Sequence, residues 1–171
     1  MFTTNCNNNT FVDSKFINNT ADVNGGAVTW DEGATDGKIE NSLFEDNSAK
    51  ANGGAVFWYG DIGSIKGSNF TANRANGTVP GTYGDSGMGG AVIWTGSNGT
   101  VDDCLFENNF AAKNGGAVYL RNLTANDCDN NVFTNSKFFN NTAGVNGGAI
   151  DWHKGATNGR IEDSVFEDNS A

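Results

Sequence analysis

Few side chains in this sequence are equipped for chemistry, and nearly all of them recur at fixed intervals. The one histidine, His153, could act as a base only with a nucleophile or carboxylate held against it. Carboxylates come as neighbours, at Glu45 and Asp46, Asp102 and Asp103, Glu162 and Asp163, Glu167 and Asp168. Paired acids are what glycoside hydrolysis and calcium binding use. Three cysteines, Cys6, Cys104 and Cys128, look at first like one disulfide and a spare thiol. Seven Asn-x-Ser/Thr sequons stand at Asn8, Asn18, Asn69, Asn76, Asn98, Asn122 and Asn140. Asn76 and Asn98 are expected in loops, where they would be the best acceptors.

The intervals come from a repeat. Gly-Gly-Ala occurs five times, ending at Ala27, Ala55, Ala91, Ala117 and Ala149, and Val or Ile always follows. Alternating with it is Ser/Cys-x-Phe-x-x-Asn-x-Ala, whose Phe falls at Phe16, Phe44, Phe70, Phe106, Phe138 and Phe166. The spacings between these Phe residues are 28, 26, 36, 32 and 28. A longer period lies over the short one: residues 6–49 match residues 128–171 at an offset of 122, with 30 of 44 positions identical. The chain therefore reads as a segment of a longer array.

The elements that carry this repeat must be short strands. The 24 Gly and abundant Asn suit tight corners, because both tolerate positive φ. After each Gly-Gly-Ala the residues at the first and third positions are apolar in every copy (Val28 and Trp30, Val56 and Trp58, Val92 and Trp94, Val118 and Leu120, Ile150 and Trp152). The residue between them varies: Thr29, Phe57, Ile93, Tyr119, Asp151. That is period two, with the constant residues inward and the variable one outward. Gly-x-Ile and Ser-x-Phe follow with different parity, so a bend separates them and each unit holds about three strands. One unit cannot bury its own apolar edge; stacking units at roughly 4.8 Å per rung closes a dry interior. The expected fold is all-β: a right-handed, single-stranded parallel β-helix of about five rungs of 26–36 residues, one domain over residues 1–171. Phe should stack on Phe, and the Asn three residues later should take a corner conformation and bond the next Asn, as stacked amides do in cross-β structures. Ten extra residues between Phe70 and Ala91 predict a protruding loop within 76–88, and a lesser bulge is expected at 121–131.

The paired motifs Gly-Gly-Ala-Ile/Val and Phe-x-x-Asn resemble the repeats of the chlamydial polymorphic outer membrane proteins. They are closer still to those of the adhesin-like surface proteins of methanogenic archaea. The resemblance covers residues 11–171. It implies a β-helix displayed outside the cell and used for attachment, with no catalytic residue carried over.

Within the repeat the chemical candidates change meaning. His153 shares a column with Asp31, Tyr59, Thr95 and Arg121, a variable outward position, and no catalytic residue is assigned. The acid pairs fall at turn positions whose counterparts include Ile17, Asn18, Thr71 and Ala72, so they read as a solvated acidic edge; no metal site and no cofactor is expected. Cys104 replaces the Ser of its motif and should be a buried free thiol. Cys6 and Cys128 are copies about four rungs apart, roughly 20 Å, beyond the reach of a disulfide.

A net charge of −10 opposes nucleic-acid binding, and no apolar run approaches a membrane span. No signal peptide is visible, since the first residues already resemble the repeat. The candidate binding residues are Phe57, Ile93 and Tyr119, which lie on consecutive rungs, with Tyr59 beside them. They should form an exposed apolar stripe for a partner, unless the 76–88 loop or a neighbouring domain covers it. The function expected is an adhesin-like stalk, extracellular or at the cell surface, attaching to a glycan or protein of a host or neighbouring cell. The alternative is a carbohydrate-active or carbohydrate-binding β-helix. That would need Asp, Arg, Lys or His at outward positions of neighbouring rungs, and no such run is evident in the sequence.

Overall fold

A computed structural model describes residues 7–31, 33–81, 85–121 and 128–171. They form a parallel β-helix of about five turns, in which 22 short strands make four sheets of six, six, five and five. No helix occurs among the described residues. Each turn has four strands rather than the expected three, for example Lys38–Glu40, Leu43–Glu45, Ser48–Ala49 and Val56–Trp58. The extra strand is the two-residue stretch after each motif Asn, where the chain stays extended before turning at Gly-Gly. Every strand pairs in parallel with its copy in the adjacent turn, on both sides except at the ends of each sheet.

The Asn column is continuous and lies inside the solenoid. Asn47, Asn73, Asn109 and Asn141 are at most 1% exposed. Asn73 donates from its backbone N–H and from Nδ2 to Asn109 Oδ1, at 3.0 Å each, and Nδ2 also donates to the Phe44 carbonyl at 3.0 Å. The same amide-to-amide bond links every step from Asn19 to Asn169. The left-handed corner falls on the residue before each of them (Asn18, Asp46, Ala72, Asn108, Asn140 and Asp168, φ 51–57°). Second members of the acid pairs, Asp46, Asp103, Asp163 and Asp168, therefore sit at left-handed corners, which Asp tolerates better than most residues.

The aromatic columns stack at the rung spacing. Phe16, Phe44, Phe70, Phe106, Phe138 and Phe166 form one pile with centroids 4.6–4.9 Å apart and rings within 10° of parallel. Phe166, on the last turn, is 43% exposed, because no further turn covers it among the described residues. Trp30, Trp58 and Trp94 stack at 4.2 and 4.6 Å, and Leu120 separates them from Trp152.

Each glycine of Gly-Gly-Ala has its own cause. The first takes φ of 61–65°, and a Cβ on the second would lie 1.9–2.1 Å from the second glycine's carbonyl in the next turn at Gly26, Gly54, Gly90 and Gly116.

A further glycine answers to the tryptophans. A Cβ at Gly63, Gly99 or Gly159 would strike the indole of Trp58, Trp94 or Trp152 within 2.4 Å, and one at Gly37 would meet Trp58 at 2.8 Å. Where the column has Leu120 in place of Trp, this position is Asn131 instead of Gly. Asn131 fills the space and bonds the Gly99 N–H and the Gly96 carbonyl. Leu120→Trp should thus cost about 1–3 kcal/mol by overpacking. Combined with Asn131→Gly, the total loss should be smaller than the sum of the two single losses, by urea denaturation; strict additivity would contradict this pairing.

Candidate functional site

Phe57, Ile93 and Tyr119 stand side by side on the outward face of the fourth sheet, in the register Phe57↔Ile93↔Tyr119. They are not exposed. Phe57, Tyr59, Ile93 and Tyr119 are 3%, 8%, 2% and 1% exposed, so the expectation of an open apolar stripe is corrected. The end of the 76–88 insertion packs on them through Met88, which occupies the place before Gly-Gly that Asn24, Asn52, Asn114 and Asn146 hold elsewhere. Met88 joins the four side chains in a second apolar cluster outside the main core.

The insertion is tied down beside it. Asn52 Nδ2 donates to the Asp85 carbonyl at 2.8 Å, and the Asp85 carboxylate pairs with Arg121. The insertion departs through Asn76 and Thr78, bonded to the Ala49 and Lys50 carbonyls, and returns at Gly87, bonded to Ala51. Residues 82–84 of this segment, and 122–127 of the bulge expected at 121–131, lie outside the described residues. Replacing Phe57, Ile93 and Tyr119 with Ser would lower stability, because all three side chains are buried.

Polar residues continue this face toward the last turn. Tyr119 is in register with Asp151, and the His153 ring lies 5.6 Å from the Tyr119 ring. Burial, and then the nearby Asp151, push the Tyr119 phenol up to about 12. Burial also raises the Asp151 carboxyl above its ordinary value, with His153 pulling the other way. Asp151 Oδ2 is buried and has no hydrogen-bond partner among the described residues. The counterpart of Asp151 is Thr29, whose hydroxyl donates to the Asn24 carbonyl at 3.3 Å, a bond that an ionised carboxylate cannot make. Tyr119 and Arg121 on one turn, and Asp151 and His153 on the next, are thus the outward run that the sequence reading did not find. Its signal was two variable columns read separately instead of side by side.

Asp151 gives a pH-dependent prediction. A carboxyl raised in the folded state binds more protons there than in the unfolded chain, so stability falls as pH rises from the ordinary carboxylate range through the folded value. Asp151→Thr should therefore melt above the wild type at pH 7, with the difference closing at pH 3. A gain of equal size at both pH values would contradict the assignment.

The remaining candidates sit in structural columns. Cys104 is buried in the Ser column, its N–H donating to Ser136 Oγ at 3.2 Å, and Cys128 is buried at a corner shared with Ala34, Gly60, Gly96 and Ala156. Both are free thiols that burial pushes up to about 12, which makes them unreactive. Cys6 lies outside the described residues. Asn76 is half-buried, with Nδ2 donating to Ser48 Oγ at 2.8 Å, so it is a poorer glycan acceptor than expected; Asn98 is exposed at a left-handed corner. No group of three or more His, Cys, Asp or Glu converges as metal donors among the described residues.

One pocket opens where the fourth sheet turns into the first. It encloses about 190 Å³ between Gly33, Thr35, Tyr59, Gly60, Asp61, Thr95 and Gly96, drawn from three successive corners. Asp61 Oδ1 accepts the Ser97 N–H at 2.7 Å, which fixes the carboxylate, and the Thr95 hydroxyl donates to the Trp58 carbonyl at 3.2 Å.

A family model described as right handed beta helix region matches residues 1–171. No curated protein and no solved structure matches the chain.

Proposed function

Because the chain belongs to the right-handed β-helix family, we propose that it is an adhesin-like stalk, extracellular or at the cell surface, that attaches to a glycan or protein of a host or neighbouring cell. The family includes adhesins, pectate lyases and hydrolases. The observation that carries the adhesive reading is the contrast between inside and outside. Phe, Asn and the Trp-dominated column are repeated turn after turn, while the outward middle residue of the Gly-Gly-Ala strand changes at every turn. Such a rod holds a varied display surface at fixed 4.8 Å intervals, which suits multivalent contact. Beads coated with the protein should adhere to cells and glycan-coated surfaces more than albumin-coated beads do. Equal adherence would remove this reading.

A second reading, a carbohydrate-active β-helix, is favoured by one observation. Asp151, with its raised carboxyl, lies beside Tyr119 and on the same turn as His153, and Arg121 occupies the outward position of the adjacent turn. A carboxyl whose affinity for its proton is raised by burial is what a general acid needs.

A further inference from the structure

The corner pocket departs from the repeat in two places, at Tyr59 and at Ile62, on either side of Asp61. Its walls carry Tyr59 in a column where the other turns have Asp31, Thr95, Arg121 and His153. Asp61 keeps a bond of the repeat: its carboxylate is fixed against the Ser97 N–H as Asn7 is against Thr35 and Asp129 against Thr157. Next to Asp61 stands Ile62, 53% exposed with φ of 57°, at the left-handed position filled by Asn8, Asp36, Asn98, Asn130 and Asn158 in the other turns. A β-branched residue costs energy in that conformation and Asn costs far less, so the corner keeps an exposed apolar side chain against the local preference.

Gly60 and Gly96 pack closely on the adjoining corner, since a Cβ on either would lie within 2 Å of the Ala34 or Gly60 carbonyl, so neither position can carry a side chain. Tyr59, buried for the most part in the Met88 cluster, borders a small space together with a fixed carboxylate and two threonines, and the exposed Ile62 side chain adjoins it. These are complementary to a sugar unit, whose C–H face packs on an apolar side chain such as Ile62 and whose hydroxyls donate to a carboxylate. The charge argues for a neutral sugar. The chain carries −10, and Asp31 and Asp36 flank the lining residues in sequence, which opposes a uronate or sulfate.

We propose that the pocket of Tyr59, Asp61 and Thr95, with Ile62 at its lip, is a subsite for one neutral, hydroxyl-bearing sugar unit of the glycan to which the protein attaches. This rests on the adhesive reading above and names where and what it binds.

Saturation-transfer NMR on the intact chain with the methyl glycosides of glucose, galactose, mannose and N-acetylglucosamine tests it, run beside the bead-adherence assay. At least one glycoside should receive saturation and bind about tenfold more weakly to Asp61→Asn, which keeps an acceptor for Ser97, and to Tyr59→Leu. Ile62→Asn should weaken binding while raising the melting temperature, so its loss of binding cannot be ascribed to unfolding. No transfer to any glycoside, or equal binding by all three variants, overturns the subsite even if the beads adhere. Transfer lost in the variants, with no adherence of the wild type, upholds the subsite and removes the stalk reading instead.

Discussion

Phe106→Ala should lower the stability of the chain by about 3–5 kcal/mol, the usual cost of deleting a buried phenylalanine. Phe106 is fully buried and stacks on Phe70 at 4.9 Å and on Phe138 at 4.8 Å. The change therefore breaks two ring contacts and leaves a void in the middle of the pile, where turns on both sides prevent collapse. Phe166→Ala removes the same side chain from the end of the pile, where it is 43% exposed, and should cost well under half as much. Equal losses in urea denaturation would mean that the rings do not stack as one column.

Asn109→Leu should be as damaging, about 3–6 kcal/mol, although it exchanges a polar side chain for an apolar one of similar size inside a core. Asn109 Oδ1 accepts the Asn73 N–H and Asn73 Nδ2, and Asn109 Nδ2 donates to the Phe70 carbonyl and to Asn141 Oδ1. Leucine strands the Asn73 N–H and takes one bond each from the Phe70 carbonyl and from Asn73 Nδ2, which keeps only the Phe44 carbonyl, in a site that is 1% exposed, at about 1–3 kcal/mol for each buried bond left unmade. Asn→Leu at the end of the ladder, at Asn19 or Asn169, leaves fewer groups stranded and exposes them to water, so the loss there should be small. Hydrogen exchange of the Asn73 amide reports the same event locally, and its protection should fall in Asn109→Leu.

The interior of this fold was legible because each inward residue repeats. Phe44 stacks on Phe70, the Asn amides bond in series, and Cys104 lies in the Ser column, all as the spacing implied. The fourth strand was hidden because two residues, as at Ser48–Ala49, are too few to show a period of two. The candidate face was harder to read for a physical reason: outward residues are not fixed by the repeat, so their burial depends on whatever crosses over them. Phe57, Ile93 and Tyr119 stand in one row as expected, but the 76–88 insertion, through Met88, packs on them, which is the covering that the sequence had left as the alternative. The corner pocket left a fainter trace still, an Ile62 where the other turns have Asn or Asp.

The proposed stalk would bind glycan at its outer surface without cleaving it. The most direct measurement incubates the protein with pectin, alginate and host glycans, recording retention on each alongside new reducing ends and unsaturated products. Retention on at least one glycan with no product is the predicted result. Product formed by the wild type and lost in Asp151→Asn would contradict it and establish the row of Tyr119, Arg121, Asp151 and His153 as an active site.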